Sequence, residues 1–454
     1  MRRSGRFLEP LGRLSAAFNR WVMKYLPGSL GIAFVLTIIV FCMGMAIAGA
    51  SLASCIRSWG DGFWALLTFG MQMCLIMFTG SLIAHSPIID RLLDRLAKVP
   101  RGPYSAIAFM TLFSSILGYL HWGLSMVLSA FMIRRIAARQ PKVDYALLTI
   151  SAYCGVSCIF HAGLSASAPL MMATTQGNFL AAEYGIIPVS DTLFSEFNLI
   201  LAGFMIVFLT TVTTLLHPHP GGETVQGPAG DEERRGVPAA DPQLRRKPAD
   251  FLEHTPILNW TIALLGFAWL AAFFSREGLK LDLNVVNFAF LMLAFLAHPS
   301  PASIVHAGED AGRIVYGIIL QFPLYAGMYG VIRGTGLAEI IGGWFVRIAD
   351  ADTYPLVIYW YSGLMNYFVP SGGSKWAIEA PYILSAAREL GVDLNRVVVS
   401  YAWGDMSTNI IQPFWAIPIL AVAGLEFREI MKYAVPIFLA NLVVVSAALY
   451  FFGG

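Results

Sequence analysis

The chain has 454 residues, of which 57% are apolar and only 13% charged, and its mean hydropathy is +0.65. Soluble domains average about 25% charged residues, so this sequence lacks the polar surface that a protein of its size needs in water. The near balance of basic and acidic residues says little about soluble partners, and nothing in it points to a nucleic acid. Composition therefore predicts a membrane protein whose main partner is the lipid bilayer.

The N-terminal segment, residues 1–29, does not read as a cleavable signal. Its basic part is followed by an apolar run, 30–50, that is longer than the apolar region of a signal peptide. Leu, Phe and Trp side chains lie among its Arg residues, which predicts an amphipathic helix at the membrane surface. Because basic residues favour the inner side, we expect a cytoplasmic N-terminus in a multi-pass bacterial inner-membrane protein.

Apolar runs of about 20 residues, enough to cross a bilayer as a helix, recur along the chain. The clear candidates are residues 30–50, 63–84, 197–216, 256–275, 281–297, 314–332 and 434–452. Two longer apolar stretches, 145–175 and 397–423, are interrupted by Gly, Ser, Thr, Pro and Asn, which predicts broken spans. Two others, 103–138 and 355–390, have a Gly-rich middle.

The charges around residues 103–138 conflict with a single crossing. The flanking loops, 85–102 and 133–144, are both rich in Arg and Lys, so one crossing would leave one of them outside. A re-entrant hairpin that turns near Gly118–Gly123 removes the conflict. Backbone can turn at that depth only where it is buried in protein or lines a watery cavity. The charge pattern therefore predicts a pocket.

The second half repeats this organisation from the opposite side. Residues 176–194 contain no Lys or Arg and are predicted outside, whereas the linker 217–255, rich in Pro, Gly and charge, is predicted inside and flexible. The stretch 355–390 must then enter and leave from the outside. We expect an all-α polytopic fold of the inverted-repeat, ion-transporter-like type, with about nine spans, two re-entrant hairpins and two broken helices. The first repeat would cover residues 30–216 and the second 256–454.

Each predicted repeat has a polar cluster at its hairpin tip and another at its break. The tips are Gly118–Gly123 and Asn366–Trp376, and the breaks are His161–Pro169 and Asp405–Asn409. Broken helices expose N–H groups that suit a carboxylate, while freed carbonyls and hydroxyls suit a cation. The alternative for any single glycine is close helix packing.

At these residues the sequence resembles the short-chain fatty acid transporter family, within a wider class of ion-coupled carboxylate transporters. The resemblance runs from about residue 20 to the C-terminus outside the linker, and four segments carry it: His161–Leu170, Val369–Gly373, Gly404–Asp405 with Thr408–Asn409, and Gln412–Pro418. It implies uptake of butyrate-like or acetoacetate-like anions. It also implies a homodimer in which a transport domain moves against a scaffold in an elevator-like manner.

The motifs and the resemblance give two sets of candidate residues. The substrate-binding candidates are Ser371, Gly372, Gly373, Ser374, Lys375, His161, Gly163, Ser165, Ser167, Thr408 and Asn409. The cation-coupling candidates are Asp405, Ser407, Asn409, Glu379, Gly118 and Asn366. No cofactor and no metal is expected, other than Na⁺ as a coupling ion, which oxygen ligands suit.

The sequence departs from the family pattern at the second tip. After Val369–Gly373 the family usually has a third Gly, then Gln, then a second Gln four residues on; here Ser374, Lys375 and Glu379 stand there. An i, i+4 spacing allows the two charges to pair, and an unpaired charge at this depth costs roughly 2.5 kcal/mol or more. One interpretation is a structural pair that stiffens the hairpin. In the other, Lys375 meets the substrate carboxylate or replaces a coupling cation, and Glu379 tunes it or carries protons.

Two further residues have alternative interpretations. Asp405 lies among hydroxyl and amide oxygens that suit Na⁺, but an aspartate at a break can also cap the next half-helix. His161 is either a proton-coupling or substrate group, or a histidine hydrogen-bonded within the bundle.

The predicted function is secondary active transport of a small organic anion, with uptake of short-chain fatty acids coupled to Na⁺ or H⁺. The sequence contains neither the HExxH motif of zinc proteases nor the GxxxxGK[ST] motif of ATP-driven pumps. An intramembrane aspartyl protease needs two aspartates in the membrane, and the sequence places one there, Asp405, so no enzyme is indicated. A carrier for dicarboxylates or other organic anions, or an anion channel, stays open as an alternative.

Overall fold

A computed structural model of the chain describes residues 29–218, 224–225, 227, 248–369 and 371–452. Within these ranges every regular element is a helix. Residues 1–28 of the predicted amphipathic segment 1–29 and most of the linker 217–255 lie outside the described residues. The end of the linker includes the short helix α11 (Pro248–Glu253). The all-α prediction is confirmed for the part of the chain that is described.

The described part of the first half contains ten α-helices. They are α1 (Ser29–Ala46), α2 (Leu52–Gly62), α3 (Leu67–Ala84), α4 (Pro87–Leu96), α5 (Pro103–Leu120), α6 (Trp122–Arg139), α7 (Tyr145–Cys158), α8 (Ser167–Ala173), α9 (Ala181–Tyr184) and α10 (Glu196–Leu215).

Nine α-helices follow α11 in the residues of the second half that the structure describes. They are α12 (Ile257–Glu277), α13 (Leu283–Ala297), α14 (Pro301–Gly334), α15 (Leu337–Ile348), α16 (Tyr354–Phe368), α17 (Gly372–Leu390), α18 (Leu394–Ser407), α19 (Pro413–Ala423) and α20 (Phe427–Phe452).

Both Gly-rich stretches form two helices joined by a very short tip. In the first hairpin, α5 and α6 are separated by His121 alone, which adopts an extended conformation and accepts a hydrogen bond from the Leu124 N–H. In the second hairpin, α16 ends at Phe368 and α17 begins at Gly372. At about 1.5 Å per residue, the 18 residues of α5 span roughly 27 Å, which is close to the hydrocarbon thickness of a bilayer.

Both polar stretches are interrupted helices of the same design. α7 ends at Cys158, a 3₁₀ turn covers Phe160–Ala162, and α8 begins at Ser167. α18 ends at Ser407, a 3₁₀ turn covers Asn409–Ile411, and α19 begins at Pro413. The breaks follow from sequence, because Gly and Pro in each segment disfavour a continuous helix. These two segments are the broken helices of the following sections.

Each broken helix packs against the first arm of its own hairpin at a glycine. A Cβ atom on Gly155 of α7 would lie 1.9 Å from the Ser114 carbonyl oxygen of α5. A Cβ atom on Gly404 of α18 would lie 2.2 Å from the Tyr359 carbonyl oxygen of α16. The two halves therefore share both the order of their elements and a backbone-to-backbone contact that only glycine permits.

Eight of the described helical segments are long and apolar enough to cross a membrane, and the helices at 30–46 and 283–297 are shorter apolar ones. The eight include α5, which the sequence assigned to a hairpin instead of a span. In the most apolar 18 residues of the first broken helix, 94% of the residues are buried. In α12 the corresponding share is only 22%, and its Trp and Leu side chains are exposed on the outside of the protein. The first interrupted segment thus lies inside the protein, whereas the second, at 65%, is buried to about the same extent as the continuous helix α3, at 67%.

Candidate functional site

The tip of the second hairpin brings a cation and an anion together in the protein interior. The Lys375 Nζ of α17 lies 2.8 Å from the Asp405 Oδ1 of α18. The other carboxylate oxygen of Asp405 lies 3.1 Å from the Nδ1 of His161, in the 3₁₀ turn of the first broken helix. All three side chains are at most 2% exposed. Three separate elements therefore meet at one sealed polar centre.

Two further oxygens complete the surroundings of the ammonium group. The Lys375 Nζ donates to the Ser362 carbonyl oxygen at 2.7 Å and to the Ser362 Oγ at 2.8 Å. It also lies 4.5 Å from the centre of the Tyr401 ring, a cation–π contact. By contrast, the Glu379 carboxylate, the partner expected from the i, i+4 spacing, is 3.9 Å away. Asp405 is thus the closer counterion.

The Glu379 carboxylate is held by tyrosine hydroxyls. The Tyr401 OH donates to one of its oxygens at 2.7 Å, and the Tyr361 OH donates to the other at 3.2 Å. A third tyrosine, Tyr382, extends this group through a 2.8 Å contact between its hydroxyl and that of Tyr361. Since Glu379 is only 2% exposed, these hydroxyls replace the water that a carboxylate otherwise needs.

Helix α17 can approach this centre because it begins with two glycines. A Cβ atom on Gly372 would lie 2.5 Å from the Cε1 of His161 and 2.6 Å from the Oδ2 of Asp405. Next to it, the Ser371 Oγ lies 2.8 Å from the Ser374 Oγ at the start of the helix. The first turn of α17, whose N–H groups have no partner within the helix, therefore points at the break of the opposite half.

A second polar group links the same tip to its own broken helix. The Asn366 Nδ2 donates to the Asn409 Oδ1 at 2.7 Å and to the Thr408 Oγ1 at 3.1 Å. The Asn409 carbonyl oxygen accepts a 3.0 Å hydrogen bond from the Tyr153 OH of α7, so the first broken helix is tied to the same place. The structure thus brings together three predicted site residues, Asn366, Thr408 and Asn409, and the last two follow Asp405 closely in the sequence.

The tip of the first hairpin is fastened in the same manner. The Trp122 N–H donates to the Ser165 Oγ at 2.9 Å, and the Leu164 N–H donates to the Tyr119 carbonyl oxygen at 2.7 Å. The Ser167 Oγ, in turn, lies 3.3 Å from the Nε2 of His161. Ser165 therefore holds the first tip, whereas Ser167 belongs to the charged centre.

Three predicted residues occupy packing positions in this structure. A Cβ atom on Gly163 would lie 2.0 Å from the Tyr119 carbonyl oxygen, and one on Gly118 would lie 2.4 Å from the Gly155 carbonyl oxygen. Gly373 lies against α3, where a Cβ atom would be 3.1 Å from both Met73 and Phe69.

Asp405 does not cap the following half-helix, and that interpretation was wrong. It lies in the last turn of α18, while the side chain of Gln412 accepts the Trp415 N–H at the start of α19. The Ser407 Oγ donates to the Gly404 carbonyl oxygen, and the Thr408 Oγ1 donates to the Gly363 carbonyl oxygen. The hydroxyl groups of Ser407 and Thr408, which the sequence placed beside Asp405, therefore donate to backbone carbonyl oxygens.

An aromatic wall stands beside His161. The rings of Phe160 and His161 are 3.8 Å apart between centres, and Trp415 of α19 lies 5.2 Å from Trp122 at the first tip. The Phe160 ring is also 6.4 Å from that of Trp415. This group supplies apolar surface next to the charged centre.

Several residues of the centre carry no sequence signal strong enough to nominate them. Ser362 lies in the middle of an apolar helix, and only the tertiary structure places its oxygens beside Lys375. Tyr401 lies four residues before Asp405, and that helical spacing could have suggested a shared face. Asn198 of α10 accepts from Trp403 and donates to the Ala162 carbonyl oxygen, so it supports both breaks from outside.

Comparisons with known proteins agree on one family. A family model described as "Short chain fatty acid transporter" matches residues 10–452. A protein of Escherichia coli, provisionally named a short-chain fatty acid transporter, is 36% identical over 455 residues, covering 97% of this chain and 100% of the relative. A protein of Haemophilus influenzae with the same provisional name is 34% identical over 454 residues, again covering 97% and 100%.

Solved structures show the same fold at lower identity. The Alcanivorax borkumensis YdaH transporter has a TM-score of 0.59 at 15% identity, covering 94% of this chain and 99% of that one. MtrF of Neisseria gonorrhoeae, from a class of antimetabolite efflux pumps, has a TM-score of 0.50 at 15% identity, covering 97% of each chain. At this identity the likeness concerns the fold alone.

Proposed function

The chain belongs to the short chain fatty acid transporter family, and from this premise we propose that it is a secondary active transporter for the uptake of short-chain fatty acids. We further propose that uptake is coupled to Na⁺ or H⁺, in a bacterial inner membrane, with the N-terminus in the cytoplasm. The family membership makes it a multi-pass membrane transporter, and the described apolar helices agree with that. Substrate, coupling and sidedness are the parts that need a test.

The observation that carries the proposal is the sealed centre of Lys375, Asp405 and His161, where a hairpin tip meets the breaks of both broken helices. Charged side chains inside a membrane protein are costly and mark ion or substrate pathways. A channel needs a continuous watery path, whereas a carrier closes over its site during each cycle. At most 2% exposure of the three side chains fits the closed stage of a carrier.

A short monocarboxylate suits the surroundings of this centre. The first turn of α17 presents backbone N–H groups and the Ser374 hydroxyl, and His161 lies opposite. Such donors bind a carboxylate, and the Phe160 and Trp415 rings would accept a short acyl tail. A dicarboxylate would need a free cationic group for its second carboxylate. Among the described residues Lys375 is the one buried Lys or Arg, and its ammonium group is already in contact with Ser362 and Asp405.

Contacts of both hairpin tips with the same helix, α3, support an elevator-like movement. The His121 side chain of the first tip packs against Gly80 of α3, where a Cβ atom on the glycine would lie 2.6 Å from the His121 Cε1. Gly373 of the second tip packs against Phe69 of the same helix. We propose that α1–α3 and α12–α14 form the scaffold of a homodimer, and that the hairpins and broken helices slide along α3.

Counterflow in proteoliposomes tests the carrier. Vesicles loaded with unlabelled butyrate should accumulate labelled butyrate transiently and saturably, and acetoacetate should compete better than succinate. Protein-free vesicles at alkaline pH are the control, because neutral butyric acid crosses lipid unaided. Flux that stays linear with concentration and shows no transient accumulation would rule the carrier out and favour a channel.

A further inference from the structure

The ammonium group of Lys375 is surrounded by a shell of oxygens of the protein itself. An ammonium has three N–H donors and no acceptor. Three oxygens lie within 2.8 Å of the Lys375 Nζ: the carbonyl and Oγ of Ser362 and the Oδ1 of Asp405. Two of the donors form hydrogen bonds with Ser362, and the Asp405 carboxylate lies at ion-pair distance as the counterion of the buried ammonium. In this conformation Lys375 is not the group that receives the substrate carboxylate.

The same shell has the composition of a monovalent cation site. A backbone carbonyl, a hydroxyl and a carboxylate are the oxygen ligands that hard cations take in proteins. They come from two helices, α16 and α18, and the Tyr401 ring 4.5 Å away adds a face that attracts cations. Here the positive charge at that position belongs to a buried side chain, and because it is covalently attached to the protein it cannot exchange with ions in solution.

We propose that Lys375 is a tethered cation that permanently fills the cation-coupling site of this carrier, so that transport needs no Na⁺ and the mobile coupling ion is a proton. This inference rests on the proposed transport function and specifies its driving ion. The sequence feature that corresponds to this proposal is the lysine at position 375, directly after the Gly-rich segment of the second tip.

Charge balance indicates how a proton could accompany the substrate. The centre holds two acids, Glu379 and Asp405, and two bases, Lys375 and His161, all buried. Glu379 also faces Tyr361 and Tyr401, and its helix carries Tyr382. The charges of ionised Lys375 and Asp405 cancel. The centre without substrate is therefore neutral when Glu379 and His161 together hold one proton, on either residue. A bound monocarboxylate adds one negative charge, and a second proton on this pair restores neutrality.

The first test uses the wild-type protein in proteoliposomes. Saturable uptake of labelled butyrate should be the same in NaCl and in choline chloride, and an inward proton gradient should drive accumulation in both salts. Uptake that requires Na⁺ would overturn the tethered-cation proposal and leave the carrier proposal standing. Absence of saturable uptake in either salt would instead contradict the carrier itself.

The second test empties the shell. Lys375→Ala removes the ammonium and leaves oxygens that Na⁺ can bind, so we expect loss of uptake in choline chloride and recovery when Na⁺ is added. Lys375→Met fills the same space without charge, and we expect loss in both salts. Na⁺ should also raise the unfolding temperature of purified Lys375→Ala but not of Lys375→Met or wild type. Full Na⁺-independent uptake by Lys375→Ala, or no Na⁺ effect on either readout, would contradict the proposal.

Discussion

Lys375 pairs with Asp405 at 2.8 Å, across two helices, in preference to Glu379, which lies one turn along its own helix at 3.9 Å. The pair joins the second hairpin to the second broken helix, and through Asp405 it also reaches His161 in the first half. One contact thus connects elements from both halves of the chain. Movement of the hairpin against either break must rearrange it.

Neutralising Asp405 should therefore be severe. In Asp405→Asn the ammonium of Lys375 keeps the neutral oxygens of Ser362 and the more distant carboxylate of Glu379. Removal of one partner of a buried ion pair typically costs about 3–5 kcal/mol. We expect loss of uptake and a clear fall in the unfolding temperature. The matched control is Glu426→Gln, which removes an exposed partner of Arg428 and should leave both properties near wild type. Equal behaviour of the two variants would show that the buried pair is not important.

Space at the start of α17 should be as critical as charge. Gly372→Ala places a methyl group where His161 and Asp405 lie within 2.6 Å, so the tip must withdraw from the centre. We expect transport to be lost while the protein remains in the membrane. Gly343→Ala is the control, because a Cβ atom there meets nothing within 4 Å. Normal butyrate uptake by Gly372→Ala would place the substrate elsewhere.

Glu379→Gln should separate exchange from accumulation. A glutamine can accept a hydrogen bond from one of the two tyrosine hydroxyls through its carbonyl oxygen and donate to the other through its amide group, but it cannot carry a proton. We expect butyrate counterflow to persist and accumulation driven by a proton gradient to be lost. If the variant still concentrates butyrate in response to a proton gradient, then Glu379 is not the proton-carrying group, and His161 is tested next by His161→Gln.

The link between Asn366 and the second break should stabilise the tip. Asn366→Ala removes hydrogen bonds to Thr408 and Asn409, and each such bond contributes about 1 kcal/mol net. We expect a lower unfolding temperature and slower uptake, whereas Asn395→Ala, at the start of α18, should change little. A stability equal to wild type would show that the tip is held by other contacts.

Much of the architecture could be predicted because polar and small residues interrupt otherwise apolar runs. The first broken helix was expected at 145–175 and occupies Tyr145–Ala173, and the second hairpin was expected at 355–390 and occupies Tyr354–Leu390. Inside lipid, backbone that leaves a helix needs partners, so such interruptions are rare and informative. The opposite orientation of the two halves in the membrane stays a prediction.

The partners within the site could not be predicted to the same degree. Local spacing favoured Glu379 for Lys375, but tertiary packing brings Asp405 closer, thirty positions along the chain. Ser362 had no signal at all, since a serine in an apolar helix is common and only the neighbouring helix decides what it faces. The sequence therefore located the polar positions, and the fold decided their pairing.

A structure determined with bound butyrate tests the central claim most directly. We predict that cryo-electron microscopy of the protein in nanodiscs with saturating butyrate will show the carboxylate at the first turn of α17, within hydrogen-bond distance of Ser374 or His161, and the acyl tail against Phe160 or Trp415. Butyrate bound away from both the second tip and the two breaks, with the contacts of Lys375 and Asp405 unchanged throughout the cycle, would contradict the account.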